Sequence, residues 1–174
     1  KWLKDCLPKI NTTNNKGVKS ILKKLSIDKI NITSEDIGYK IAPLINAVGR
    51  IGDPKLIIDL FTNESNDSVD KLTEECFSMN SKRKRITSQI EHEALEIALC
   101  EYRSDRKFIV LSKRDWHPGI IGIVAARMVD KFNLPTAILA QSNDGQFRGS
   151  IRSNNILKVN RALDECSDIL IAHG

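Results

Sequence analysis

Three short segments of this 174-residue chain gather residue types suited to holding an anion. Asp115-Trp116-His117-Pro118-Gly119 falls between a strand-like run and a helix-like run. Proline in a first helical turn removes only an N–H that would be unpaired there, and the remaining free N–H groups of that turn attract anions. His117 stands beside them as a donor to a phosphate oxygen, and Gly119 and Gly122 permit close approach of a ligand or a packed strand. A capped helix with a satisfied histidine fits the same residues. Arg148-Gly149-Ser150-Ile151-Arg152-Ser153 alternates as a strand does, so Arg148, Ser150 and Arg152 share one face. Two guanidiniums flanking a hydroxyl make a phosphate cradle, because arginine binds phosphate in bidentate fashion. Gly149 weakens a strand unless something approaches its backbone closely. The competing reading is an exposed edge strand whose charges discourage aggregation. The third segment, Asn46-Ala47-Val48-Gly49-Arg50, places an arginine on a tight loop between apolar stretches.

Other chemistry is missing. The only histidines are His92, His117 and His173, and no run of spaced Asp and His could hold two divalent cations. His92 lies between Glu91 and Glu93 in a helical pattern and reads as solvated. No nucleophile elbow, Walker loop or dinucleotide fingerprint is present. Cys6, Cys76, Cys100 and Cys166 form no C-x-x-C pair; Cys76 and Cys100 read as small core residues, and a reducing, intracellular setting fits. The residues describe a binder of phosphate-rich ligand that lacks catalytic metals of its own.

The elements that must position these segments change character along the chain. Lys and Arg outnumber Asp and Glu by 27 to 22, with the excess in the first and last thirds and an acidic middle. That imbalance permits an anionic partner without requiring one. The profile, 41% hydrophobic and 28% charged, is globular, and no apolar run is long enough to cross a membrane. Residues 1–5 lead into no apolar stretch of the signal-peptide kind, and with no initial Met and an abrupt end the chain reads as a piece of a longer protein. Val18, Ile21, Leu22 and Leu25 predict an amphipathic helix with Gly17 at its boundary, and Thr33 or Ser34 caps a further helix through Ile37 and Ile41. Residues 41–53 read as a loop because of Pro43, Gly49 and Gly52, with Pro54 opening a short helix through Leu60. Residues 68–99 predict one helix about 45 Å long, with Arg83 turned toward its apolar stripe. After residue 105, strand 108–112, helix 118–132, strand 135–141, a turn at 143–145, strand 146–153 and helix 159–171 make an α/β unit.

Taken in order, the three segments resemble the RecJ family of single-strand-specific 5′ to 3′ DNA exonucleases. Ile41–Asp53 is similar to the family's "iaPrlNAaGRmgd" stretch, Asp115–Arg127 to "WHpGViGIVAsR", and Arg148–Ser153 to "kGSaRS". Ile45 and Val48 depart from the usual residues but stay apolar. The resemblance implies an α/β fold class: residues 1–67 as the helical end of a DHH phosphoesterase domain, 68–105 as a long connecting helix, and 106–174 as most of a small mixed α/β DHH-associated domain. It implies a cleft for single-stranded DNA between those domains. Arg50, Ser150 and Arg152 would hold the 5′ phosphate or the nearest backbone phosphates, with Arg148, Gly149 and Ser153 in the same binding segment. Asn46 would shape the loop presenting Arg50, and His117 would be the catalytic residue near the scissile phosphate. Two Mn²⁺ or Mg²⁺ ions would be held by residues outside this chain and none within it. A cytoplasmic monomer of DNA repair and recombination, working with other repair proteins and not with membranes, completes the expectation. Rival readings are a non-catalytic nucleic-acid-binding scaffold, a DHH-family phosphoesterase for short oligonucleotides or cyclic dinucleotides, and an appendage like that of alanyl-tRNA synthetases.

Overall fold

The computed structural model describes residues 2–27, 32–100, 106–141, 145–154 and 157–174. They form two compact units, residues 1–84 and 85–174.

The first unit is helical. Helices α1 (Trp2–Asn11), α2 (Lys16–Lys24), α3 (Ala42–Ile51) and α4 (Lys55–Thr62) are followed by α5 (Asn66–Cys100), whose first half belongs here. Ile21, Leu44, Val48, Leu56, Leu60, Val69 and Cys76 form one core cluster. Each large side chain buried this way stabilises the unit by roughly 1.5–3 kcal/mol. Burial also pushes the Cys76 thiol up to about 11. Asn15 caps α2, accepting from the Val18 N–H at 3.0 Å, and donates through its amide to the Phe61 carbonyl at 2.7 Å, tying α2 to α4.

Gly17 is no boundary. It lies in the first turn of α2, buried against α4, and a Cβ there would stand 2.4 Å from the Leu60 carbonyl oxygen. Residues 41–53 are no loop either. A π-helical turn, Asp36–Ile41, runs straight into α3. Pro43 sits at the junction of the π-helical turn and α3, and Gly52 caps the end. Thr33 opens this stretch: its hydroxyl accepts from the Asp36 N–H at 3.2 Å, and the Asp36 carboxylate accepts from the Thr33 N–H at 3.0 Å.

The predicted helix 68–99 is α5. Its buried residues are Val69, Thr73, Cys76, Thr87, Ile90, Ala94 and Ala98. Within the gap between Cys76 and Thr87, Arg83 is half-buried and bonds the Asn80 side chain through Nε and Nη2 at 3.1 and 2.9 Å. Cys100, expected in the core, is exposed at the helix end. His92 is exposed, as its acidic neighbours suggested.

The second unit contains β1 (Ile109–Lys113), α6 (Pro118–Phe132), β2 (Thr136–Gln141), β3 (Phe147–Arg152) and α7 (Val159–Glu165), with the last half of α5. The strands form a sheet in the order β1-β2-β3, with β1 and β2 parallel and β3 antiparallel to β2. A parallel pair needs a crossover, which α6 supplies. Ile120, Ile121, Val124, Ala125 and Met128 bury its inner face, and α6 packs on β2 and β3. Asn133 ends α6 in the left-handed conformation that asparagine tolerates. The helix expected over 159–171 stops at Glu165, and the residues that follow, 166–169, are all exposed. Of the turn expected at 143–145, residues 143 and 144 lie outside the described residues, while Gly145 takes a positive φ of 82°. The expected change of domain near residue 105 also falls outside them.

Candidate functional site

The first turn of α6 follows the C-terminal end of parallel strand β1, where open α/β sheets bind ligands. His117 is its N-cap, and His117 Nδ1 accepts from the Gly119 N–H at 3.1 Å. With Nδ1 an acceptor, the proton of the neutral ring sits on Nε2, which is left as a donor. His117 lines a cleft of about 520 Å³ with Arg114, Asp115, Trp116, Gln141 and Arg148. The capped-helix reading is what the structure shows, and the cap leaves Nε2 of the histidine as a donor.

Strand β3 behaves as its alternation predicted. Arg148 borders the His117 cleft, while Ser150 and Arg152 meet α6 at Gly122. A Cβ on Gly122 would stand 3.0 Å from Ser150 Oγ and 3.3 Å from Arg152 Nη2. Of the two roles open to Gly122, it serves close packing of a strand. Arg152 Nη1 donates to Ser150 Oγ at 3.1 Å and to the Ile151 carbonyl at 2.8 Å. The guanidinium is thus folded along its own strand beside the hydroxyl, and Arg152 itself remains exposed. Gly149 faces the other way. It pairs with Leu139, and a Cβ there would come 2.6 Å from Leu139 Cδ2. Room for that side chain accounts for the glycine. The Ser153 hydroxyl, just past β3, donates to the Asn154 carbonyl at 2.8 Å.

In the first unit, Asn46, Gly49 and Arg50 stand at i, i+3 and i+4 on the exposed side of α3. They line a shallow cleft of about 550 Å³ with Ile45, Pro54, Ile57 and Ile58. Asn46 therefore lies one helical turn from Arg50 and shapes no loop. Gly49 carries no packing constraint: nothing lies within 4 Å of where its Cβ would be.

One residue here had no signature in the sequence. Glu93 on α5 accepts from Trp116 Nε1 and from Lys113 Nζ, each at 2.9 Å, and from Gln89 Nε2 at 3.0 Å. The Lys113 and Trp116 bonds lower its carboxyl from 4.5 to about 2. The folded value lies below the unfolded one, so this stabilisation is complete above pH 4.5 and is lost as the pH falls toward 2. Thermal melts from pH 5 to 2.5 should show a steeper loss of stability in the wild type than in Glu93→Gln. Equal slopes would remove the carboxylate from the account.

Gly122→Ala offers a separate check. Alanine favours the helix by about 1 kcal/mol, so the melting temperature should hold while the Ser150–Arg152 pair is pushed aside. Binding of a phosphorylated oligonucleotide, read by fluorescence anisotropy, should weaken severalfold; unchanged binding would mean that the pair has slack.

The sheet, the crossover helix and the Arg–Ser segment belong to a DHHA1 domain, whose family profile matches residues 105–171. The single-stranded-DNA-specific exonuclease RecJ of Bacillus subtilis is 33% identical over 165 residues, covering 94% of this chain and 21% of that protein. The protein of the same name from Salmonella typhimurium is 29% identical, over 91% of this chain and 29% of its own length. The crystal structure of RecJ from Thermus thermophilus in complex with Mn²⁺ superposes with a TM-score of 0.85 at 24% identity, covering 99% of this chain and 25% of that one. Nearly the whole of this chain is therefore similar to one part of the RecJ proteins. It spans about a fifth to three tenths of the length of the curated relatives it matches.

Proposed function

We propose that this chain is the strand-gripping part of a single-stranded-DNA-specific 5′ to 3′ exonuclease. The observation that carries the reading is the Arg152–Ser150 pair, packed over Gly122 and next along β3 from the cleft of Arg148 and His117. Arg152 and Ser150 hold the 5′ phosphate, and Arg148 takes the adjoining backbone phosphate, each by charge-assisted hydrogen bonds. Gly149 and Ser153 complete that segment as backbone and spacer. His117 donates from Nε2 to a phosphate oxygen near the bond to be cut. Asn46 and Arg50 hold a backbone phosphate on the first unit, where Gly49 leaves space for it above the helix. In this reading residues 1–67 end the catalytic domain, 68–105 connect, and 106–174 form the associated domain.

Hydrolysis by the whole enzyme uses Mn²⁺ or Mg²⁺. Among the described residues no group of three or more His, Cys, Asp or Glu could hold a metal ion. The described residues do not fit such a centre, and in this reading its ligands belong to the part of the enzyme that this chain does not span. What this chain supplies is binding and orientation, which set the bond presented for cleavage. No described helix is long and apolar enough to cross a membrane. The reading places the enzyme in the cytoplasm as a monomer, among other DNA-repair proteins.

Anisotropy with a single-stranded oligomer and its duplex tests this. Three arginine contacts to phosphate predict a log–log salt slope of about −2 for the single strand, and weaker binding of the duplex. Equal affinity for both, or none for either in a folded sample, would refute it.

A further inference from the structure

We propose that Glu93 is the positioning residue for His117, acting through Trp116. The inference rests on the reading of His117 as a phosphate donor. Trp116 immediately precedes His117, its side chain is buried, and its indole N–H donates to Glu93 Oε2 at 2.9 Å. Lys113, the last residue of β1, bonds the same oxygen at 2.9 Å. Gln89, one turn earlier on α5, holds the other oxygen at 3.0 Å. A carboxylate fixed at both oxygens has a single orientation, and the indole it receives cannot turn without losing both its burial and its bond. The segment from β1 to α6 is thereby tied to α5 at one point. Glu91, two residues earlier, pairs with Arg127 and holds α6 again at its third turn. His117 is left with little freedom except in its ring, and the Gly119 N–H sets that by bonding Nδ1. Precision of this kind matters when a group must meet a phosphate oxygen, because misplacement by about an ångström is costly.

A merely structural Glu93 would change stability and nothing else. The test uses the 174-residue chain with ¹⁵N-labelled histidine. His117 in the wild type is expected to show the nitrogen shifts of the Nε2–H tautomer. In Glu93→Ala those shifts should move toward the average of the two tautomers, and affinity for a 5′-phosphorylated single strand should fall about tenfold. Glu93→Gln keeps an acceptor for Trp116 but loses the charge facing Lys113, so intermediate values are expected; it also carries the test should the alanine variant fail to fold. His117 shifts unmoved in both variants overturn the proposal, whatever happens to the melting temperature. If the wild type binds no strand, the functional reading fails, and the His117 shifts still decide the part played by Glu93.

Discussion

Arg152→Ala should weaken binding of a 5′-phosphorylated single strand by about ten- to a hundredfold and of a 5′-hydroxyl strand far less. Hydrogen bonds to charged groups contribute about 1.5–3 kcal/mol each, and about 1.4 kcal/mol is a factor of ten in affinity. The loss goes beyond one cation. Arg152 Nη1 also holds Ser150 Oγ, so the hydroxyl loses its orientation as well. Arg152→Lys keeps the charge but not the planar fork, and should fall between the wild type and alanine. Anisotropy with the two strand ends side by side reads the effect. Equal losses on both would move Arg152 from the strand end to a general backbone contact.

Substituting two glycines should change stability in opposite directions. Gly17→Ala places a methyl 2.4 Å from the Leu60 carbonyl oxygen. That atom is backbone, so α2 and α4 must separate. Overpacking of this kind costs typically about 1–3 kcal/mol, a fall in melting temperature on the order of 10 °C for a unit of this size. Gly49→Ala meets nothing within 4 Å and sits inside α3. There alanine should stabilise by about 0.5–1 kcal/mol. Melts of both variants followed by circular dichroism check the pair. A Gly17→Ala protein as stable as the wild type would mean that the α2–α4 contact is looser than described.

These two glycines also show what the sequence could reveal. Gly17 read as a boundary and Gly49 as part of a loop, because glycine marks breaks in local grammar. Its reason at position 17 is an approach by residue 60, which no local pattern records. Pro43 and Gly52 marked the two ends of α3, and Gly49 between them suggested irregular chain. The pattern of the second unit was more legible, since strand 109–113, helix 118–132 and strand 147–152 each carry their own period and breakers. The shared face of Arg148, Ser150 and Arg152 followed from alternation alone. Glu93 was invisible for the opposite reason. Its partners Lys113 and Trp116 lie 20 and 23 residues away, and a surface-type residue in a helix gives no sign of a distant bond. Gly149 called for a close approach to its backbone, and the group that approaches is the Leu139 side chain.

The most direct measurement compares one single-stranded oligomer with a 5′ phosphate and the same oligomer with a 5′ hydroxyl, each titrated with the wild-type chain at low and moderate salt. The account predicts tighter binding of the phosphorylated strand, weakened by salt as phosphate contacts require. Equal binding of the two ends by a folded sample would contradict the assignment of the 5′ phosphate to Arg152 and Ser150.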